Sequence, residues 1–179
     1  MEVEIKYYLQ DGNFDSVIQR LNDLGAIFVR EIDEIDHYFK VVGRDSIVTK
    51  ECLRIRETGE KIELTYKPAS DDPNEKIFAK QESNVLVSDA QKTVELLKVL
   101  GNQLLVTVKK RRKYYNYNDC VVTLDFIEKV GYFLEIECED EDSEKGTKRL
   151  NECADKLKLK NCTITNKPYR DIVLEAQTS

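Results

Sequence analysis

The feature that most constrains the fold of this chain is an alternation of charged and apolar residues that recurs along most of its length. Residues 2–6 read Glu-Val-Glu-Ile-Lys, and residues 53–56 read Leu-Arg-Ile-Arg. Because successive side chains of a strand point to opposite faces, such segments have one charged face and one apolar face. Eight strands are predicted, at 2–9, 27–39, 52–57, 61–67, 78–87, 105–117, 121–127 and 132–139.

Three amphipathic helices are predicted at 13–24, 88–100 and 143–157. Asn13 and Ser88 are the expected N-caps of the first two, and a glycine follows each of these helices. The helices need an apolar surface to cover, and covering the apolar face of the sheet would turn its charged face inward if the sheet closes. We therefore expect a single α+β domain over residues 1–179, an eight-stranded antiparallel β-barrel with helices packed on the outside.

Composition excludes several classes of protein. A net charge of -6 argues against non-specific nucleic-acid binding, which needs a basic surface. No apolar run approaches the length of a membrane span. With one histidine and five cysteines that form no C-x-x-C pair, a zinc site is not expected. Single scattered cysteines are typical core residues of cytoplasmic proteins, so a cytoplasmic location is expected.

Charges of opposite sign are segregated along the inferred faces. Carboxylates dominate the first and the last two strands, whereas arginine and lysine dominate the middle strands. A solvated face would explain any single strand. In a closed sheet, however, like charges about 4 Å apart would repel by roughly 4 kcal/mol at an effective dielectric constant near 20. A metal-bound polyphosphate would satisfy both sets, because carboxylates hold hard divalent cations and arginine forks match phosphate oxygens.

The basic run at 109–113 has cations on both faces of its predicted strand. Alternation alone leaves two options open: either Lys110 and Arg112 face inward, or Lys109, Arg111 and Lys113 do. An RNA contact is a further reading of this run, but the acidic balance of the chain disfavours it.

The opening Glu2-x-Glu4-x-Lys6 resembles the ExExK signature of the CYTH superfamily, the triphosphate tunnel metalloenzymes. Further segments match in chain order and extend the resemblance over nearly the whole sequence. These segments are Asp36-His-Tyr38-Phe39, Leu53-Arg-Ile-Arg56, Leu64-Thr-Tyr-Lys67-Pro68, Lys110-x-Arg112-x-x-Tyr115, Leu124-Asp125, Gly131-x-Phe133-x-Glu135-Ile-Glu137 and Pro168-Tyr169-Arg-Asp-Ile-Val173. The pattern is most similar to the CyaB-type, class IV adenylate cyclase branch, which includes thiamine-triphosphatase relatives, and it favours Lys110 and Arg112 as the inward pair.

The resemblance implies a role for each charged residue. Mg²⁺ or Mn²⁺ would be held by Glu2, Glu4, Asp125, Glu135 and Glu137, with support from Glu82. The triphosphate would be bound by Lys6, Arg54, Arg56, Lys67, Lys80, Lys110 and Arg112. The catalytic set would be Glu2, Glu4, Lys6, Glu135 and Glu137. His37 is interpreted as structural or near the tunnel mouth, and in the absence of tryptophan a tyrosine or phenylalanine would contact the organic part of the substrate.

The function expected from this resemblance is a metal-dependent enzyme of the adenylate cyclase type, converting ATP to cyclic AMP and pyrophosphate. The alternatives are a triphosphatase acting on thiamine triphosphate, inorganic triphosphate or a nucleoside triphosphate, and a polyphosphate- or nucleotide-binding module without turnover. The expected partner is a small-molecule triphosphate, with a homodimer as an open alternative. Neither nucleic acid nor a membrane is expected as a partner.

Overall fold

A computed structural model of the chain describes residues 2–10, 13–68, 82–140 and 142–178, without the side chains of Glu2 and Ser143. Lys80 and the first residues of the strand predicted at 78–87 lie outside this part. The described residues form two compact units, which are treated separately below. The first unit contains residues 2–10, 13–32, 111–140 and 142–166, and the second contains residues 33–68, 82–110 and 167–178.

The described part of the chain contains nine strands and five α-helices. The strands are β1 (Glu2–Leu9), β2 (Ile27–Lys40), β3 (Cys52–Glu57), β4 (Ile62–Lys67), β5 (Ser83–Val87), β6 (Gln103–Tyr117), β7 (Cys120–Ile127), β8 (Gly131–Glu139) and β9 (Thr163–Ile164). The helices are α1 (Asn13–Asp23), α2 (Ser46–Thr49), α3 (Ala90–Val99), α4 (Ser143–Lys156) and α5 (Tyr169–Thr178), with a 3₁₀ turn at Leu159–Asn161. All the predicted helices and strands are found, and α2, α5 and β9 are additional.

The strands follow the order β5-β4-β3-β2-β6-β7-β8-β1-β9. Neighbours such as β1 and β8, β3 and β4, and β7 and β8 are antiparallel. The expected α+β class with a large antiparallel sheet is therefore confirmed. Among the described strands, β5 and β9 stand at the two ends of the order, so this sheet is not closed and the expected barrel is not confirmed.

The core of the first unit lies between the apolar faces of β1, β7 and β8 and helices α1 and α4. Val3 and Ile5 of β1 are buried together with Leu150 of α4. Gly146 allows this packing, because a Cβ atom added there would lie 2.5 Å from Cγ2 of Val3. The helices of this unit thus cover the apolar face of its strands, as the sequence predicts.

In the second unit, α3 covers the apolar face of β2 and β3. Val94 and Leu97 pack against Phe39 and Ile55, which are fully buried. The N-cap of α3 is Asp89, whose carboxylate accepts a hydrogen bond from the backbone N–H of Lys92. The prediction of Ser88 as the cap is therefore wrong by one residue; a carboxylate is as good an acceptor there as a hydroxyl.

Helix α5, which the sequence analysis did not predict, is attached to the second unit through a buried arginine. Nη1 of Arg170 donates to the carbonyl oxygen of Glu51 at 2.9 Å, and Nη2 donates to that of Ser46 at 3.0 Å. The Arg170 side chain is nearly inaccessible to solvent. Its donors are thus satisfied by backbone acceptors, as a buried guanidinium requires.

Two of the five cysteines form a disulfide bond. Cys120 and Cys138 are directly opposite each other on β7 and β8, with their Cα atoms 4.6 Å apart. The expectation of single, unpaired cysteines is wrong for this pair, because it depended on spacing along the chain and not on strand register. Cys52, Cys153 and Cys162 are free. No helix in the described part of the chain combines the length and the apolar character needed to cross a bilayer.

Candidate functional site

The charged face of the first unit carries a group of side chains that we call the carboxylate cluster: Glu4, Lys6, Arg112, Asp125, Glu135 and Glu137. Arg112 donates from Nε and Nη2 to the two carboxylate oxygens of Asp125, at 2.6 and 2.5 Å. The same Nη2 donates to Glu135 at 2.5 Å, and the other Glu135 oxygen lies 3.1 Å from Nζ of Lys6. Glu135 therefore bridges the two cations of this cluster.

Strand register brings two further carboxylates of this cluster face to face. Glu4 of β1 is the cross-strand partner of Glu137 of β8. Directly opposed like charges destabilise a sheet unless a cation lies near them. Counting only the six named side chains, four carboxylates face two cations, so this cluster carries an excess of negative charge.

The donor chemistry of this cluster fits a hard divalent cation, since carboxylate oxygens are the preferred ligands of Mg²⁺. The Thr123 hydroxyl is buried and has no hydrogen-bond partner in the described structure. Thr123 is the cross-strand partner of Glu135 and therefore adds an unsatisfied oxygen to the same face. As they stand, no three described acidic, histidine or cysteine side chains are grouped closely enough to hold a metal ion, so the carboxylates would have to converge on it.

The second unit carries what we call the cation cluster: Glu34, Asp36, Arg54, Arg56 and Lys110. Asp36 is its centre. Arg56 donates to both oxygens of Asp36, at 2.7 and 2.8 Å, and Lys110 donates to Oδ2 at 2.7 Å. Nη1 of Arg54 lies 4.0 Å from the same carboxylate. Glu34 adds a second carboxylate, 2.8 Å from Lys110 Nζ and 3.3 Å from Arg56 Nε.

These contacts determine the ionisation of Asp36. Burial by itself opposes the charged form, but the positive charges of Lys110, Arg56 and Arg54 outweigh it and hold the pKa of Asp36 well below its usual range. Counting the five named side chains, three cations face two carboxylates, so these five side chains together carry a net positive charge. The cation cluster thus has the opposite charge excess to the carboxylate cluster.

Two buried polar atoms beside the cation cluster lack partners in the described structure. They are Nε of Arg54 and the hydroxyl oxygen of Thr65. The two residues are cross-strand partners on β3 and β4, and Thr65 is fully buried. An unsatisfied donor next to an unsatisfied hydroxyl is expensive in the absence of a ligand and suits a bound polar group.

Lys67 and Glu82 form an ion pair at the margin of the second unit. Burial raises the pKa of Glu82, but the hydrogen bond and the charge of Lys67 outweigh this and lower it below its ordinary value. From the sequence, Glu82 is predicted to support the metal and Lys67 to bind the phosphates. In the structure the two residues neutralise each other.

The orientation of β6 agrees with the prediction that Lys110 and Arg112 are its inward-facing cations. Lys110 and Arg112 are buried, whereas Lys109 and Arg111 are exposed.

His37 points away from the cation cluster and has partners of its own. Its Nδ1 is 3.1 Å from the Thr107 hydroxyl, and its Nε2 is 2.6 Å from a carboxylate oxygen of Glu57. These contacts suit a structural role for the one histidine of the chain.

Asp36 and Glu34, which organise the cation cluster, are not among the site residues predicted from the sequence. Asp36 appeared only within a matching segment, and Glu34 was not singled out, because β2 carries charges at both alternating positions from residue 30 to residue 36. The signal that could have identified them is the pairing of β2 with β3, which makes Asp36 the partner of Arg56.

The comparison that decides the family covers almost the entire chain: a family model described as the CYTH domain matches residues 1–168. The chain belongs to the CYTH family. The CYTH chain is 32% identical over 166 residues to "Putative adenylate cyclase MJ0240" of Methanocaldococcus jannaschii, and the match covers 93% of each sequence. It is 25% identical over 184 residues to "Adenylate cyclase CyaB" of Aeromonas hydrophila, covering 99% of this chain and 91% of the other.

Solved structures share the CYTH fold. The PH1012 protein from Pyrococcus horikoshii superimposes with a TM-score of 0.81 at 31% identity, covering 96% of this chain and 99% of the other. "Putative adenylyl cyclase HpAC1" from Hippeastrum, described as having a dominant triphosphatase activity, has a TM-score of 0.70 at 16% identity, covering 99% and 96%. At 16% identity the second likeness concerns the fold alone. The sequence-based resemblance to the CYTH superfamily is thus confirmed.

Proposed function

We propose that this CYTH protein is a divalent-metal-dependent enzyme that acts on a triphosphate, with ATP cyclisation to cyclic AMP and pyrophosphate as its reaction. The observation that carries the proposal is the carboxylate cluster of the first unit, in which Glu4 opposes Glu137 and four carboxylates face two cations. Such a cluster suits the divalent cation of a metal–triphosphate complex. The cyclase assignment draws on the name of the relative that is 32% identical over 93% of both sequences.

In this proposal the carboxylate cluster holds Mg²⁺ or Mn²⁺. Glu4 and Glu137 are the first ligands, because they oppose each other across β1 and β8. Glu2, Asp125 and Glu135 complete the set as it is predicted from the sequence. When bound, the metal would withdraw charge from the phosphoryl oxygens.

The cation cluster supplies phosphate contacts in the same proposal. Arg54, Arg56 and Lys110 lie within 4.0 Å of the buried Asp36 carboxylate, which positions them before any ligand arrives. A phosphate oxygen would accept a hydrogen bond from Nε of Arg54, which has no partner in the described structure. Such pre-positioned donors act mainly by stabilising charge as it develops during phosphoryl transfer.

The cyclisation forms a bond between the ribose 3′ oxygen and the α-phosphorus and breaks the bond from the α-phosphorus to the bridging oxygen. The hydroxyl proton passes to a base, and pyrophosphate leaves with the electron pair of the broken bond. The two oxygens of Glu135 contact Lys6 at 3.1 Å and Arg112 at 2.5 Å. Besides its place in the metal set, Glu135 is therefore assigned to positioning Lys6 and Arg112.

Hydrolysis of a triphosphate is the second candidate. In this proposal the residues of both clusters bind phosphate or metal. None of their described contacts distinguishes attack by a ribose hydroxyl from attack by water. A binding module without turnover is less well supported, since an anion binder needs cations but not the opposed Glu4 and Glu137.

One incubation separates these functions. Purified protein is given Mg²⁺ or Mn²⁺ with ATP, thiamine triphosphate or inorganic triphosphate, and the products are measured. Cyclic AMP would support the cyclase and free phosphate the hydrolase, whereas metal-dependent binding without product would support the binding module. No product and no binding with any of the three would overturn the proposal.

The metal assignment is tested with Glu4→Gln. We expect turnover to fall at least about 100-fold, as for loss of a metal ligand or its direct support, while the unfolding free energy changes by less than about 1 kcal/mol. Glu128→Gln is the matched control, because Glu128 is an exposed residue of the turn between β7 and β8. Wild-type turnover in Glu4→Gln would remove Glu4 from the metal site.

The tunnel predicted from the sequence is part of this proposal. A triphosphate enclosed by the sheet should shield Lys6, whose side chain is 12% exposed, from amine acetylation, whereas Lys109, which is exposed, should react equally with and without it. Mass spectrometry of acetylated peptides measures this, and equal reaction of Lys6 in both conditions would contradict enclosure.

A further inference from the structure

The charged face of β1 ends in an aromatic side chain that the proposed phosphate and metal chemistry does not use. Tyr8 follows Glu4 and Lys6 at the same alternating positions, whereas Tyr7 points to the opposite face and is buried in the core. The Tyr8 side chain is 38% exposed. This partly exposed ring lies about 7 Å along the strand from Lys6. A planar group of a ligand bound at Lys6 could stack on it.

Two residues of β8 hold this ring in place. Tyr8 is the cross-strand partner of Phe133, and their rings meet edge to face, with centroids 5.4 Å apart and planes at 66°. Phe133 itself is almost inaccessible. Gly131 also lies against this ring, since a Cβ atom there would be 3.0 Å from Cε2 of Tyr8. The ring is therefore ordered by its neighbours before any ligand arrives.

A second aromatic residue near the carboxylate cluster is Tyr114. It is a weaker candidate for contact with a planar group of a ligand. The guanidinium carbon of Arg30 lies 4.9 Å from its ring centroid, and that of Arg112 lies 5.8 Å away. Both cations would have to leave before a planar group could stack there. Tyr8 needs no such rearrangement.

We propose that Tyr8 is the stacking contact for the nucleobase of the substrate, with Phe133 and Gly131 positioning its ring. The inference rests on the proposed function, in which Lys6 binds phosphate. It adds the part of the site that would distinguish a nucleoside triphosphate from inorganic triphosphate. Stacking on an aromatic side chain tolerates any base, so Tyr8 favours a nucleotide over a bare phosphate chain without choosing among bases.

The test measures binding, not turnover. Dissociation constants of a non-hydrolysable ATP analogue and of inorganic triphosphate are determined by titration calorimetry with Mg²⁺, for the wild type, Tyr8→Ala and Tyr8→Phe. We expect Tyr8→Ala to weaken the analogue about tenfold or more and to leave inorganic triphosphate within about twofold. Tyr8→Phe, which keeps the ring, should bind both like the wild type.

Phe126→Ala is the matched control. Phe126 has the same exposure as Tyr8, 38%, but contacts Tyr132, which packs against the apolar core on the other face of the sheet. It should bind both ligands like the wild type. If Tyr8→Ala folds poorly, Tyr8→Val keeps a residue that strands favour and removes the ring; unchanged binding of inorganic triphosphate shows that the fold is intact.

The outcomes are distinct. Equal weakening of both ligands in Tyr8→Ala would mean that Tyr8 supports the charged cluster, and no weakening of either would mean that it makes no contact; each result overturns the inference and leaves the proposed function standing. Wild-type protein that binds neither ligand would overturn the proposed function, and the inference with it.

Discussion

Asp36 and Arg56 form a two-point ion pair inside the second unit, with Nε on Oδ1 at 2.7 Å and Nη2 on Oδ2 at 2.8 Å. Lys110 shares the same carboxylate. Asp36 thereby supplies counter-charge to Arg56 and Lys110, which Glu34 also contacts. This relationship makes a residue outside the predicted site responsible for the geometry of residues inside it.

Asp36→Asn should destabilise the protein by about 3–5 kcal/mol, because it removes a buried negative charge from three cations and leaves Glu34 as the remaining carboxylate of the cation cluster. Urea denaturation followed by circular dichroism measures the change. Asp33→Asn is the control, since Asp33 lies exposed on the same strand, and it should change the unfolding free energy by no more than about 0.5 kcal/mol. A loss below about 1 kcal/mol in Asp36→Asn would contradict the central role of this carboxylate.

The same residue predicts a pH dependence. The folded-state pKa of Asp36 lies below the value of about 3.9 for an unfolded aspartate. Its contribution to stability is therefore complete above about pH 4 and is lost as the pH falls from there towards the folded pKa. The unfolding free energy of the wild type should drop more steeply below about pH 4 than that of Asp36→Asn, and parallel curves would show that Asp36 is not responsible.

Thr65→Val should stabilise the ligand-free protein by about 1 kcal/mol, because valine removes a buried hydroxyl that has no partner in the described structure. Thr107→Val is the contrasting variant. The Thr107 hydroxyl lies 3.1 Å from Nδ1 of His37, so its loss should destabilise the protein by a similar amount. Thermal unfolding without ligand compares the two, and a destabilised Thr65→Val would mean that its hydroxyl is satisfied after all.

Gly131→Ala should destabilise the protein and displace Tyr8. Its φ of +131° is a conformation open to glycine but strained for other residues, at a cost of about 1–3 kcal/mol. Gly25→Ala is the control: φ is +75°, but no atom lies within 4 Å of the added carbon. Both variants should lose stability in urea, and only Gly131→Ala should also lose affinity for the ATP analogue relative to inorganic triphosphate.

Reduction of the Cys120–Cys138 bond should lower the unfolding free energy by about 3 kcal/mol, the size expected when a loop of this length is no longer closed in the unfolded chain. The two cysteines are 18 residues apart in sequence. Urea titrations with and without dithiothreitol measure the difference. A Cys120→Ser variant should match the reduced wild type and show no response to the reductant, whereas Cys162→Ser should respond as the wild type does.

Alternation along single strands predicted most of the charged faces correctly. Glu4 and Lys6 share the face opposite Val3 and Ile5, and Thr65 shares the face of Lys67, because one strand fixes these relations by itself. Element bounds were close for the same reason: β1 and β3 match the predicted limits of 2–9 and 52–57.

What the sequence did not reveal depends on pairing between distant segments. Asp36 meets Arg56 and Lys110 only through the order of β3, β2 and β6, and Cys120 meets Cys138 only through the register of β7 and β8. Short elements were also missed: α2 has four residues and β9 has two, too few for a periodic pattern to emerge.

The burial of Lys110 and Arg112 on β6 has a consequence for how this protein tolerates insertions and deletions. The two cations are two positions apart on one uninterrupted strand, so any change of one residue in its pairing turns both outward together and brings Lys109 and Arg111 inward. A slip of the whole strand therefore cannot lose one cation and keep the other. A one-residue insertion or deletion between Lys110 and Arg112 would instead place the two on opposite faces, whereas one in the turn at Asn118 and Asp119, beyond the end of the strand, would leave the alternation intact.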